Sequence, residues 1–449
     1  MPTRMPRIAV IGAGVAGCAA AYFLRQEFPS GLEITVFERE TSMGGRILTR
    51  MFAGSKVEFG AAFIHSTNQL LNTLIDSLQL KRLPSIHTTN AKFALGIWDG
   101  ARFVLHLPAS SLLKYPKLAF HYGLSLAKLR RSVENVLGQW SQIYDPQRET
   151  RVFASPKDMF ESVGLLRATK ETVDVYLDRE HVSSPVRKEL CCPIVRAIFN
   201  QNLGVNAFAG VVAMVASGVA GGSAFSVLGG NERLCQELLN KSGAQLFTGR
   251  GIKAVYSTSG GCNTVVDDRD TSSTFDAVII SAPLDGSRIA LNISTPLASL
   301  STSQEWQSVT ETCVAGKLSA AFFGLNSRSN VPDLVLTTAE SETPFSAITP
   351  VAMEASAPDS ARSIYKIASV RPLEDCLLNE LFQSIDDISS VTWRAYPRME
   401  PRVDSIPFRL TRGIYYINSI EDIVSTLETQ LLASRNAIRL MLQDVSFTR

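Results

Sequence analysis

The sequence predicts an α/β chain of two domains: a doubly wound parallel sheet assembled from separated pieces, and a second, mixed α+β domain inserted between them. Three observations carry this. Residues 8–11 form a short β-branched run, followed at once by Gly12, Gly14 and Gly17 and a helix of small residues. A second apolar strand, residues 34–37, ends on Glu38. Similar buried strands return much later, in "QLFTGRGIKAVYSTSGG" and "FDAVIISAPL", after a long helical stretch. Continuous apolar runs of this kind suit strands covered on both faces.

The first segment also states a binding chemistry. In G-x-G-x-x-G, the glycine at 12 permits a tight turn and the one at 14 lets a pyrophosphate approach the backbone. The glycine at 17 lets helix and strand pack closely. The helix opening at Ala16 offers unpaired N–H groups and a positive dipole end to phosphate. Glu38, with Arg39 beside it, stands where an acid accepts hydrogen bonds from a ribose hydroxyl. A dinucleotide is therefore expected here. Just downstream, "TSMGGR" supplies Gly44 and Gly45, which let the chain pass close to the cofactor, and Arg46, which neutralises phosphate charge. This second glycine pair resembles the extended motif of flavin enzymes of the glutathione-reductase and amine-oxidase type. The expected cofactor is non-covalent FAD in a Rossmann-type domain.

Composition sets the outer bounds. The 449 residues suffice for two domains and a large core, and 45% hydrophobic with 19% charged residues describes a globular chain. A net charge of +2 gives no electrostatic footprint for nucleic acid. Seven scattered cysteines suit core thiols rather than a disulfide framework, and no spacing suggests a metal. The first strand begins within seven residues, with no secretory signal before it, so a cytoplasmic location is expected. Residues 197–231 carry no charge, yet their glycines and asparagines suit a buried helix and a turn better than a membrane span.

Further elements follow in order. "KVEFGAAFIHSTNQLLNTLIDSLQL" reads as strand, turn through Gly60, and helix; "KFALGIWDGARFVL" reads as a hairpin turning at Asp99 and Gly100. Residues 108–190 look mainly helical, and Lys114, Lys117, Lys128, Arg130 and Arg131 punctuate their leucines and aromatics. That pattern allows peripheral membrane contact as well as an ordinary solvated face. Residues 291–393 look strand-rich, and a helix is expected over 424–442. The division is then 1–85, 206–290 and 394–449 for the FAD domain, with 86–205 (helical part) and 291–393 (sheet part) for the substrate domain.

Seven blocks, in chain order, resemble the prenylcysteine oxidase (prenylcysteine lyase) family: "FERETSMGGR", "FGAAFIHSTNQLL", "CCPIVRAIFNQNLGVNAFAGVVAM", "LGGNERLC", "LVLTTAESETPF", "WRAYPRMEP" and "YYINSIED". The resemblance implies a thioether oxidase in which hydride passes from the prenyl carbon beside sulfur to flavin. Water then adds, a prenyl aldehyde and cysteine separate, and molecular oxygen reoxidises the flavin to give hydrogen peroxide. Such chemistry asks for a lipophilic small-molecule channel more than for a catalytic triad. Ile252 is expected near the adenine, Ser281 at the crossover, and Ser419 and Glu421 near the ribityl chain or pyrophosphate. Candidate catalytic or pocket residues are His65, Arg196, Tyr415 and Lys317. Arg196 is a charge in an apolar run, suited to a substrate carboxylate or a structural one. Lys317 sits on a strand position where amine oxidases carry a lysine that holds water at the flavin. A flavoenzyme of secondary metabolism acting on another isoprenoid or polyketide, and a non-catalytic flavin-binding protein, are the alternatives.

Overall fold

The computed structural model describes residues 5–85, 94–108, 111–145, 151–257, 262–284, 289–293, 305–328, 331–351, 363–402 and 404–444. Two large sheets organise it. The first has six strands in the order Gln245–Phe247, Glu33–Phe37, Arg7–Ile11, Ala277–Ile280, Ile414–Tyr416 and Arg409–Thr411. The first five run parallel, and the last turns back antiparallel to its neighbour. Ala277–Ile280 is buried along its whole length, as its unbroken apolar run requires. Pieces separated by more than 200 residues thus meet as neighbours: Ile8 registers with Ile34 on one side and Ala277 on the other.

The helix Val15–Glu27 packs on this sheet between the helices Glu232–Ser242 and Leu427–Asp444. Its alanines let the three helices approach closely, and Cys18, Ala19, Ala20, Ala21 and Leu24 are all fully buried. The C-terminal helix begins at Leu427 rather than at residue 424, because Ile417–Ile420 forms a 3-10 turn and the Thr426 hydroxyl accepts from the Thr429 N–H at 3.2 Å.

The second sheet has seven strands in the order Phe382–Pro397, Trp306–Leu318, Ile364–Ser369, Phe345–Pro350, Leu334–Thr337, Leu95–Trp98 and Phe103–Leu107. The hairpin at Asp99 and Gly100 forms as expected, with Gly100 at φ +104°. A four-stranded sheet, Ser272–Phe275, Asn263–Asp267, Ile252–Ser257 and Ala290–Asn292, sits beside the nucleotide sheet; part of the "YSTSGG" turn lies outside the described residues.

The uncharged stretch 197–231 becomes two helix segments and a strand. Cys192–Phe199 ends at Asn200, and Ala207–Ala216 is capped by Asn206, whose Oδ1 accepts from the Ala209 N–H at 2.9 Å. The same Asn206 amide donates to the carbonyls of Met399 and Ile423, tying the helical layer to the C-terminal segment. Among the described residues, no helix is long and apolar enough to cross a membrane.

Candidate functional site

Two glycine turns, the one around Gly14 and the one around Gly44, lie against each other. Gly44 forms a bridge with Gly14, its N–H donating to the Ala13 carbonyl at 2.9 Å. A Cβ on Gly17 would stand 1.9 Å from the Gly12 carbonyl oxygen, and one on Gly45 would stand 3.2 Å from Gly14 Cα. Both are backbone contacts that nothing flexible can relieve, so the glycines are required by packing. Gly12, Gly44 and Gly45 also hold positive φ, at +104°, +117° and +60°.

Glu38 closes the next strand and bends over this turn. Its carboxylate accepts from the Ala13 N–H at 2.7 Å and the Glu40 N–H at 2.9 Å. Arg39 is exposed at the rim with its stem beside Gly251. Ser281 donates to the carbonyls of Ile11 and Gly12, both at 2.9 Å, and so pins the crossover to the first turn. Arg46 reaches in the other direction. Its guanidinium pairs with the buried carboxylate of Glu421 and donates to the Ala395 carbonyl at 2.7 Å. Two separately expected residues are thereby one contact, joining the second glycine turn to the C-terminal segment and to the seven-stranded sheet.

These residues form one end of a single cavity of about 1040 Å³. It exceeds the ~300–1,000 Å³ of ordinary ligand sites, leaving room for a large cofactor and a substrate together. Gly12, Gly14, Ala16, Glu38, Arg39, Gly44, Gly45, Arg46, Ile252 and Ser281 line it, as does His65. The seven-stranded sheet roofs it with Glu311, Lys366, Thr392 and Tyr396, and the helical layer closes it with Val136, Trp140, Phe199, Phe208 and Val211.

A dinucleotide fits this donor set. The glycine cradle leaves backbone exposed where a Cβ would obstruct it. The first turn of Leu427–Asp444 also lines the cavity, bringing the positive end of an 18-residue helix to it. Two lining amides are buried with unsatisfied polar atoms among the described residues, Gln430 at both Oε1 and Nε2, and Asn418 at Oδ1. Buried amides ordinarily find partners, and a bound heteroaromatic cofactor edge is one.

Not every expected residue reaches the cavity. Ser419 turns inward, donating to the Tyr416 carbonyl at 2.8 Å and the Pro407 carbonyl at 3.2 Å, and its neighbour Asn418 faces the cavity instead. Glu421 is buried behind Arg46 and acts on the site through it. Tyr415 belongs to the parallel sheet; it is fully buried and its hydroxyl donates to Asp444 at 2.9 Å, so it does not wall the pocket. Arg196 points away as well. It donates to Asn202 Oδ1 at 3.3 Å and Thr337 Oγ1 at 3.2 Å, its Nε has no partner among the described residues, and burial lowers its pKa.

Lys317 is exposed near the end of its long strand, six residues beyond Glu311, where bulges shift the register. The lysine that the seven-stranded sheet brings to the cavity is Lys366, on the neighbouring strand opposite Cys313. Its ammonium donates to the carbonyls of Glu58 at 3.2 Å and Gly60 at 3.4 Å, and lies 3.7 Å from Glu311 Oε2. Burial holds the Glu311 carboxyl above its ordinary value, with Lys366 opposing. One signal for both was present: single charges at alternate positions of otherwise apolar strands, "SIYKIASV" and "SVTETCV".

Glu58 and His65 also face the cavity. Burial pushes Glu58 up to about 7, against the Asn231 N–H and Thr49 hydroxyl that favour its charged form. His65 is held below its ordinary pKa by burial and so is neutral near pH 7, with Nδ1 2.9 Å from the Thr67 hydroxyl. Its ring fills the space a Cβ on Gly222 would occupy, which fixes the glycine turn after Ala207–Ala216 against it. Glu428 accepts from the N–H groups of Leu70 and Leu71 at 2.8 Å each and from the Tyr144 hydroxyl at 2.6 Å. That carboxylate caps the helix Gln69–Ser77 from the far end of the chain.

Fold and site together define a nucleotide-binding α/β protein with an apolar chamber roofed by a second sheet. In overall fold it is similar to cyclohexylamine oxidase from Brevibacterium oxydans IH-35A, with a TM-score of 0.67 at 16% identity, covering 98% of this chain and 99% of that one. The profile of an NAD(P)-binding Rossmann-like domain matches residues 10–78, and that of prenylcysteine lyase matches residues 108–448. The chain is 30% identical to farnesylcysteine lyase of Arabidopsis thaliana over 97% of its own length and 88% of the relative's. It is 28% identical to prenylcysteine oxidase 1 of Homo sapiens over 96% and 88% respectively. This chain belongs to the prenylcysteine lyase family.

Proposed function

We propose that the protein is an FAD-dependent oxidase that cleaves the thioether of a prenylated cysteine, with molecular oxygen as electron acceptor. In balance, prenylcysteine, oxygen and water give a prenyl aldehyde, cysteine and hydrogen peroxide. The observation that supports this best is the single cavity, which joins a dinucleotide cradle to a chamber walled by the aromatic and aliphatic side chains of Val136, Trp140, Phe199, Phe208 and Val211.

Gly12, Gly14, Gly44 and Gly45 would hold the pyrophosphate of FAD and Glu38 a ribose, and Asn418 and Gln430 would offer it hydrogen bonds. FAD, when bound, supplies the hydride acceptor. The protein's share is binding and exclusion. Trp140, Phe199, Phe208 and Val211 take the isoprenoid, each buried CH₂ contributing ~0.8 kcal/mol. Glu311 and Lys366 form the polar spot in the roof where a water can be held. Arg196, bonded to Asn202 and Thr337 behind the wall, is not assigned the substrate carboxylate. We also propose the domain division 1–85, 206–290 and 394–449 against 86–205 and 291–393. In support, strands from the first set make the nucleotide sheet, whereas those of 95–107 and 306–397 make the roof.

The test is anaerobic mixing of the flavin-loaded protein with farnesylcysteine, followed by the oxidised-flavin absorbance. Bleaching that reverses on admitting air is the expected outcome. An unchanged spectrum with every prenylated cysteine offered would overturn the reading.

A further inference from the structure

One surface feature is not used by the cavity. The helix Ser111–Tyr122 turns at Gly123, φ +57°, into the helix Ser125–Ser141. The turn carries Phe120 and Leu124 outward, 94% and 81% exposed, the two most exposed large apolar side chains among the described residues. Isolated surface apolar groups need no explanation, but two of them at one projecting turn do.

The second helix has an ordinary inner face: Leu129, Val133, Val136 and Trp140 are buried. Leu124, Ala127, Lys128 and Arg131 follow the i, i+3, i+4, i+7 spacing on the opposite face, and all four are exposed. On the first helix Lys117, Phe120 and His121 are exposed together. Lys117 donates to the His106 carbonyl at 2.6 Å and makes no ion pair among the described residues. Arg130 is paired with Glu134 and His121 with Glu189, but neither Lys128 nor Arg131 makes an ion pair among the described residues. The bias is local. Residues 108–131 contain five Lys and Arg and no Asp or Glu, in a chain whose net charge is only +2.

We propose that this helical turn docks on an anionic lipid bilayer. Phe120 and Leu124 enter the boundary between headgroups and acyl chains, while Lys117, Lys128 and Arg131 meet the lipid phosphates and carboxylates. A nucleic acid would be served by the cations but not by two protruding apolar groups. The helix that presents Lys128 and Arg131 outward also carries Val136, Leu137 and Trp140 into the cavity wall. If the oxidase reading holds, membrane-partitioned prenyl compounds are held where the chamber is built. The docking itself does not depend on that reading.

The test is co-sedimentation of the flavin-loaded full chain with vesicles of phosphatidylcholine alone and with about a third phosphatidylserine, at low and physiological salt. Binding is expected only with phosphatidylserine, weakening as salt rises. The double substitution F120S/L124S, and separately K128E/R131E, each reduce the vesicle-bound fraction ~10-fold or more. Flavin bleaching by dissolved farnesylcysteine stays at the parent rate in both, since none of these four side chains lines the cavity. Absence of phosphatidylserine-dependent sedimentation, or parent-like sedimentation of both variants, overturns the proposal. Absence of flavin bleaching in the parent protein, with its sedimentation intact, overturns the oxidase reading instead.

Discussion

Glu58 gives the protein a specific pH dependence. Its carboxyl ends the strand Ser55–Glu58 against the cavity, and burial lifts its pKa from 4.5 to about 7. The folded protein therefore holds a proton that the unfolded chain has already released. Below about pH 4.5 both states are protonated and the group is neutral with respect to stability. As pH rises from there to about 7, the folded state is progressively penalised, and above 7 the penalty is complete. Each pH unit of displacement is worth ~1.4 kcal/mol, so the total is ~3 kcal/mol, an upper value for a group that keeps some solvent contact. For a chain of this length the unfolding entropy makes that ~3 °C in Tm. Replacing Glu58 by Gln keeps the shape and an acceptor for the Asn231 N–H, and removes the titration. The assay is the melting temperature of parent and E58Q at pH values from about 4.5 to about 8. The difference between the two curves isolates Glu58, because His65, Glu311 and Glu428 titrate in both. E58Q is expected to gain on the parent by ~3 °C across this window. Parallel curves would show that Glu58 is ionised throughout and that the burial argument fails.

Gly17→Ala places a Cβ within 1.9 Å of the Gly12 carbonyl oxygen, which forces helix and turn apart. Loss of flavin from the purified protein, with a Tm drop of several degrees, is the expected result, read from the ratio of visible to protein absorbance. Lys366→Met leaves Glu311 buried beside no cation and is expected to cost ~3 kcal/mol or more. The double variant K366M/E311Q, which has no charge to bury, recovers much of it, and Tm in the double-mutant cycle is the measurement.

Sequence determines the nucleotide turn because its requirements are local. A strand, three glycines at fixed spacing, a small-residue helix and an acid closing the next strand are all set within about thirty residues, by sterics and dipoles that act between near neighbours. Several of the chain's other strands were legible for the same reason, through apolar runs and a hairpin at Asp99 and Gly100, whereas the short strand Ala224–Val227 was read as part of a glycine-rich turn. Family membership was also legible, because ordered blocks survive as strings.

Contacts between distant segments were not legible, and they decide the site. Arg46 meets Glu421 across 375 positions, and Glu428 caps a helix that begins at Gln69. Nothing in either local string states such a partner. The lysine of the roof is Lys366 and not Lys317 because the bulged strand Trp306–Leu318 carries residue 317 away from the cavity while its antiparallel neighbour brings residue 366 under it. Arg196 looked like an anion site because a charge in an apolar run is costly, yet the fold answers that cost with Thr337 and Asn202 on the far side of the wall. Asn418 rather than Ser419 faces the cavity because a 3-10 turn, not a continuing strand, sets which neighbour points inward. In each case the sequence fixes the residue's chemistry, and the direction it faces depends on packing over the whole chain.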